Sequence, residues 1–171
     1  MTETDSRKVP IFLALGSNLG NRMSYLQGAI TKLSEHQDIQ VEQQSGIYET
    51  EPMYVKEQEP FLNMVVTGST RLTPSDLLIE IKEIEKVLGR KERMKNGPRE
   101  IDIDIIFYGD QIIEQQDLQV PHPGLDERKF VLQPLNDLAP GFVSPAHDKS
   151  ISQLLRECPD DSSMRPFDKM I

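Results

Sequence analysis

The chain has 171 residues, enough for one domain with a real hydrophobic core. Its net charge of −9 argues against a nucleic-acid coat, because phosphate backbones select basic faces. A single cysteine, Cys158, excludes an intrachain disulfide, and no apolar run approaches the roughly 20 residues that span a bilayer.

Residues 1–8 are polar and mixed in charge, without the apolar stretch of a signal peptide. They read as a disordered lead-in to a single cytoplasmic domain over residues 9–171. Val9 to Leu15 is a short apolar run that predicts a buried strand. Gly16-Ser17-Asn18-Leu19-Gly20-Asn21-Arg22 follows. It stands where a phosphate-cradling loop would stand, but it lacks both P-loop and G-x-G-x-x-G spacing and reads as a tight turn. Leu26, Ala29, Ile30 and Leu33 recur at helical spacing over Met23 to Leu33. Ile39 to Tyr48 predicts a more polar strand, and Glu51 to Pro60 a loop.

Phe61 to Arg71 alternates as a strand, with Phe61 and Asn63 on the face opposite Leu62. A ring beside a side-chain amide suits a flat heterocycle, although an edge aromatic with a capping Asn is the ordinary alternative. Phe130 is open to the same two readings. Thr73 as N-cap, Pro74 in the first turn and Gly89 at the end delimit a helix with a Leu77, Leu78, Ile81, Ile84, Leu88 stripe. Next comes a basic island. Arg90, Lys91, Arg93, Lys95 and Arg99 face a single acid, Glu92, which suggests a small polyanion such as a nucleotide, with a solvated charged loop as the ordinary alternative.

Isoleucines at 101, 103 and 105 and Phe107 then alternate along a strand with one buried face. Asp102 and Asp104 therefore share the other face, roughly 7 Å apart. Asp is depleted in strands. Two carboxylates this close repel unless a cation lies between them, and an all-oxygen pair suits Mg²⁺. Gly109-Asp110 predicts a turn, with Gln111 to Ile113 pairing back. His122 is held between Pro121 and Pro123, and Arg128 follows; both could contact phosphate. Phe130 to Leu138 reads as a turn or short helix, and Ile151 to Glu157 as a small helix. The order β-α-β-β-α-β predicts an α+β, ferredoxin-like core: an antiparallel sheet with two helices on one face, and a C-terminal extension. The second face is then free for that extension or for a ligand.

Five blocks carry a resemblance: Leu15-Gly16-Ser17-Asn18-Leu19-Gly20, Tyr48-Glu49-Thr50-Glu51-Pro52, Phe61-Leu62-Asn63, Gly97-Pro98-Arg99 leading into Asp102-Ile103-Asp104, and Val120-Pro121-His122-Pro123 with Arg128 and Phe130. In this order, from about Ile11 to Pro140, the chain resembles the 6-hydroxymethyl-7,8-dihydropterin pyrophosphokinases of the folate pathway. The resemblance implies transfer of pyrophosphate from ATP to the pterin, with AMP released. It implies two Mg²⁺ ions on Asp102 and Asp104, and catalytic roles for Arg90, Arg99, Asp102 and Asp104. It places the pterin at Thr50, Glu51, Met53, Phe61, Asn63 and Phe130. It places ATP at Lys82, Glu85, Arg90, Arg99, His122 and Arg128. From charge and hydropathy the chain is expected to have no nucleic-acid or membrane partner, and it is expected to be a monomer or weak homodimer. Asn96 stands where many members carry an aromatic, and Glu92 where a second Arg is common. Two rivals remain at this level: a nucleotidyltransferase, whose Gly-Ser pair normally lies close before its carboxylates, and a non-catalytic metabolite-binding module.

Overall fold

The computed structural model describes residues 7–52, 57–91 and 97–167. Expectations at Met53, Glu92, Arg93, Lys95 and Asn96, and most of the lead-in, fall outside these residues. The elements run β1 (Val9–Ser17), α1 (Arg22–Glu35), β2 (Ile39–Gln44), β3 (Tyr48–Thr50), β4 (Phe61–Thr70), α2 (Pro74–Val87) and β5 (Asp102–Tyr108). The extension adds β6 (Ile113–Gln115), β7 (Leu118–Val120), a 3-10 turn (Leu125–Glu127) and α3 (Lys129–Leu138). It ends with β8 (Val143–Ser144), β9 (Lys149–Ser150), α4 (Ile151–Glu157) and β10 (Met164–Pro166).

The main sheet is antiparallel throughout, in the order β10-β3-β4-β1-β5, with β2 also on β4. This is the α+β, ferredoxin-like arrangement that the element order predicts. Both core helices begin at the residues whose side chains can cap them. Asn21 accepts from the Ser24 N–H and Thr73 from the Asp76 N–H, each at 3.1 Å. Gly89, at φ 103°, follows α2 in the left-handed region that glycine tolerates. Leu26, Ala29 and Leu33 of α1 and Leu77, Ile81 and Ile84 of α2 pack on Leu13, Leu15, Met64, Val66, Ile103 and Ile105. This apolar interior is the larger part of the driving force for folding.

Three local readings change. The strand predicted over residues 39–48 is two strands, because Ser45 leaves the ladder. Its Oγ accepts from the Val65 N–H at 2.9 Å, and its own N–H donates to the Val65 carbonyl. The hairpin after Gly109 is not made by Gln111 to Ile113 pairing back; instead β6 pairs with β7, Ile113 opposite Val120. Finally, β5 is not alternating to its end. The register against β1 shifts between Phe12 and Leu13, so that Phe12 faces Phe107 while Leu13 faces Ile105. Ile106 is the extra residue of a β-bulge, and beyond it the side chains change faces. Phe107 therefore joins Phe12 and Phe142 in a second core, with ring centroids 4.7–5.4 Å apart. Leu125, Val131, Leu132 and Leu135 complete it with Ile151 and Leu154 of α4.

The extension thus covers one end of the second sheet face and leaves the end bearing Asp102 and Asp104 open. No helix among the described residues is long and apolar enough to cross a membrane. The close approach of β2 to β4 depends on Gly68, where a Cβ would stand 2.1 Å from the Gln40 carbonyl oxygen. Gly68→Ala is expected to cost about 3 kcal/mol or more, since backbone rather than a flexible side chain must yield. Urea denaturation checks this; an unchanged midpoint would show that β2 moves freely.

Candidate active site

The open end of the second face holds a cavity of about 290 Å³. Most of the residues singled out from the sequence line it: Thr50, Glu51, Phe61, Asn63, Arg99, Asp102, Asp104, His122, Arg128 and Phe130. They come from five separate stretches of chain. β4 contributes Phe61 and Asn63, β3 ends at Thr50 beside Glu51, Arg99 lies just before β5, β5 carries the two aspartates, and His122, Arg128 and Phe130 come from the segment that runs into the first turn of α3. Lys82, Glu85 and Arg90 are not among the lining residues.

At one end the lining is built of aromatic rings and a side-chain amide. Phe61 and Phe130 present rings, and the Asn63 amide donates to Thr50 Oγ1 at 2.7 Å, with both side chains buried. Gly16 lies in β1 and not in a turn. A Cβ there would come within 2.7 Å of Asn63 Oδ1, so the missing side chain makes room for the amide. The Arg128 guanidinium stands 6.0 Å from the centroid of the Phe130 ring.

The other end is charged. Asp102 Oδ1 accepts from Arg90 Nη1 at 3.0 Å and from Arg99 Nη1 at 3.3 Å. Arg90 also lies 2.9 Å from Glu85 Oε2, and Lys82 lies 3.8 Å from Glu85 Oε1. Glu85 is buried, and its Oε2 takes the Ile103 N–H of the edge strand β5 at 2.8 Å. Glu85 thus braces β5 and orients Arg90 from behind the cavity wall. Burial raises its pKa, a rise opposed by the Ile103 N–H and by Arg90.

Asp104 is pushed up to about 8, first by burial and then by the charges of Asp102 and Glu85. His122 moves the other way, down to about 4, through burial and the nearby Arg128 charge. Its Nδ1 accepts from the Gly124 N–H at 3.2 Å, which leaves the proton of the neutral ring on Nε2.

The described residues form no closed cage of three or more His, Cys, Asp or Glu side chains around an ion position. Two strand-borne carboxylates open to a cavity are nonetheless a fitting donor set for Mg²⁺, which keeps several waters and shares its remaining positions with substrate phosphates.

The full sequence matches the model of the 7,8-dihydro-6-hydroxymethylpterin-pyrophosphokinase (HPPK) family over residues 12–140. The chain belongs to the HPPK family. A 2-amino-4-hydroxy-6-hydroxymethyldihydropteridine pyrophosphokinase of Aquifex aeolicus is 43% identical over 157 residues, covering 92% of this chain and 94% of that protein. One from Bacillus subtilis is 43% identical over 127 residues, 74% of this chain and 76% of its own. The folic acid synthesis protein fol1 of Pneumocystis carinii is 44% identical over 150 residues, 88% of this chain but only 20% of that longer protein. A Plasmodium falciparum HPPK-DHPS crystal structure with pteroate superposes with a TM-score of 0.73 at 17% identity, over 88% of this chain and 42% of that one. That likeness concerns the fold. The HPPK membership makes the chain an enzyme of pyrophosphoryl transfer to a pterin.

Sequence reasoning passed over Asn18, which the fold makes central to this HPPK site. It is buried. Its Oδ1 accepts from the Arg99 N–H at 2.8 Å, and its amide donates to Gln58 Oε1 at 2.8 Å and to the Glu59 carbonyl at 3.0 Å. Its backbone N–H donates to the Arg99 carbonyl at 3.1 Å. The Gly-Ser-Asn stretch is therefore a fastener between the Arg99 segment and the loop before Phe61. Its partners lie 40 and 81 residues away, so no local spacing announces it. Asn18→Ala should cost about 2–3 kcal/mol by stranding buried partners, measurable as a lowered denaturation midpoint.

Proposed function

We propose that this chain transfers the β,γ-pyrophosphoryl unit of ATP to the hydroxymethyl oxygen of 6-hydroxymethyl-7,8-dihydropterin, giving the pterin diphosphate and AMP. The supporting observation is the polarity of the cavity: an aromatic and amide end joins an end with two aspartates among arginines. Phe61, Phe130, Asn63, Thr50 and Glu51 bind the heterocycle, by stacking and by hydrogen bonds at its edge. Met53 is assigned to the same end by the family resemblance.

Arg99, His122 and Arg128 hold the triphosphate, with Lys82, Glu85 and Arg90 supporting that end. Asp102 and Asp104 would hold Mg²⁺, which when bound neutralises phosphate charge and polarises the phosphoryl oxygens. The hydroxymethyl oxygen forms a bond to Pβ, its proton passing to water. The Pα–O–Pβ bridge breaks on the Pβ side, and AMP leaves with the bridging oxygen. Arg90 and Arg99 stabilise the charge that builds on the transferred group. Neutral His122 donates from Nε2 without adding charge. The enzyme works in the cytoplasm, as a monomer or weak homodimer, on small molecules rather than on nucleic acid or membrane.

The test is the product. With ATP, Mg²⁺ and the pterin, chromatography should show AMP and pterin diphosphate in equal amounts. Release of free pyrophosphate with a nucleotidylated product would establish the nucleotidyltransferase instead. Tight ATP binding without turnover would leave a binding module.

A further inference from the structure

The extension beyond residue 140 lies outside the family match, yet its last described strand returns to the cavity. β10 pairs with β3 on the side away from β4, with Met164 opposite Thr50, Arg165 opposite Glu49 and Pro166 opposite Tyr48. Without it, a strand of only three residues would form the sheet edge there. The contacts continue at both ends. The Glu51 N–H donates to the Ser163 carbonyl at 3.3 Å, the Ser163 N–H donates to Glu51 Oε1 at 3.4 Å, and the Phe167 N–H donates to the Ile47 carbonyl at 2.8 Å. Glu51 is one of the cavity-lining side chains, so the extension holds its carboxylate directly.

Two ionic links tie this strand to the rest of the wall. Glu49 is clamped between Arg165 and Arg22, and Arg22 also donates to the carbonyl of Pro60, next to Phe61. The Arg22 guanidinium stands 5.6 Å from the centroid of the Phe167 ring. Upstream, Asp160 Oδ2 accepts the first N–H of α3, that of Lys129, at 3.1 Å, beside Phe130. One short segment therefore grips the strand bearing Thr50, the approach to Phe61 and the helix start bearing Phe130.

We infer that residues 160–167 are a strap that positions the acceptor end of the cavity, with Ser163 and Arg165 acting through Glu51 and Glu49. The inference rests on the proposed reaction, because the acceptor end is defined by the pterin. The contacts that tie the strap to the wall go to residues 47–51, to Arg22 and to Lys129, so its disturbance bears on the pterin before ATP.

The test uses the full chain. Arg165→Glu sets two carboxylates opposite each other across the strand pair; it should raise KM for the pterin about fivefold and leave KM for ATP within about twofold. Arg165→Lys should restore the wild-type value. Ser163→Pro deletes the N–H that reaches Glu51 and should give the same split. Amide hydrogen exchange at Thr50 and Glu51 should quicken in both disruptive variants. Unchanged pterin KM in both, or equal shifts for both substrates, would overturn the strap. Absence of AMP from the wild type with the pterin present would instead remove the functional reading, and the strap with it.

Discussion

Asp104→Asn is expected to abolish turnover and, at the same time, to stabilise the metal-free protein at neutral pH. The first effect follows from the proposed metal pair: losing one anionic ligand should lower kcat by about 10³-fold or more. The second follows from electrostatics. The Asp104 carboxyl has a pKa near 8 in the fold, against an ordinary value of 3.8, through burial and the charges of Asp102 and Glu85. A group whose folded pKa is raised contributes stability that is fully present below its unfolded value. That contribution is lost as pH climbs through the folded value. The metal-free wild type should therefore weaken between about pH 4 and pH 8, a loss that Asn cannot suffer.

At pH 8 without Mg²⁺ the variant should melt roughly 3–6 °C higher, corresponding to about 1–2 kcal/mol. Near pH 4 the two curves should converge. Adding Mg²⁺ with an ATP analogue should raise the wild-type melting temperature far more than that of the variant. Asp102→Ala should abolish turnover as well, through the lost metal ligand and by a second route, because its Oδ1 also anchors Arg90 and Arg99. Near-normal turnover in either folded variant would refute the metal assignment.

The same pair shows what the sequence discloses and where it stops. Asp102 and Asp104 were legible because strand periodicity is local, and three isoleucines mark the opposite face. The helix cap at Thr73 and the terminal Gly89 were legible too, because they lie beside the turns that they satisfy. Phe107 was misread because a bulge depends on the register between two distant strands, and an apolar residue suits either core. Glu85 illustrates a different gap. Its role as a brace depends on the Ile103 N–H of an edge strand, a backbone donor with no residue signature. Asn18 and Ser163 escape notice for the same reason: each works through backbone groups far along the chain. Met164-Arg165-Pro166 has neither alternation nor β-branched residues, so nothing but the waiting edge of β3 makes it a strand.

Arg99→Ala should lower kcat by about 10²-fold while changing pterin affinity by less than about twofold. Its backbone is fastened at both polar groups by Asn18, independently of the side chain. The fold should therefore survive truncation. The guanidinium rests on Asp102 Oδ1 at 3.3 Å, longer than a good charge-assisted bond, so a phosphate can recruit it at little cost. Arg90 differs. It lies between Glu85 and Asp102 at 2.9 and 3.0 Å, and its removal would leave a buried carboxylate without its nearer cation. Arg90→Ala should consequently lose stability along with rate, whereas Arg99→Ala loses rate alone. Arg99→Lys keeps the charge but not the planar fork, and should recover only part of the loss. Steady-state kinetics with direct pterin binding and thermal melts separates these outcomes. A large fall in pterin affinity with kcat preserved would make Arg99 a ground-state binder, and the charge built up during transfer would then have to be met by Arg90 from its fixed position.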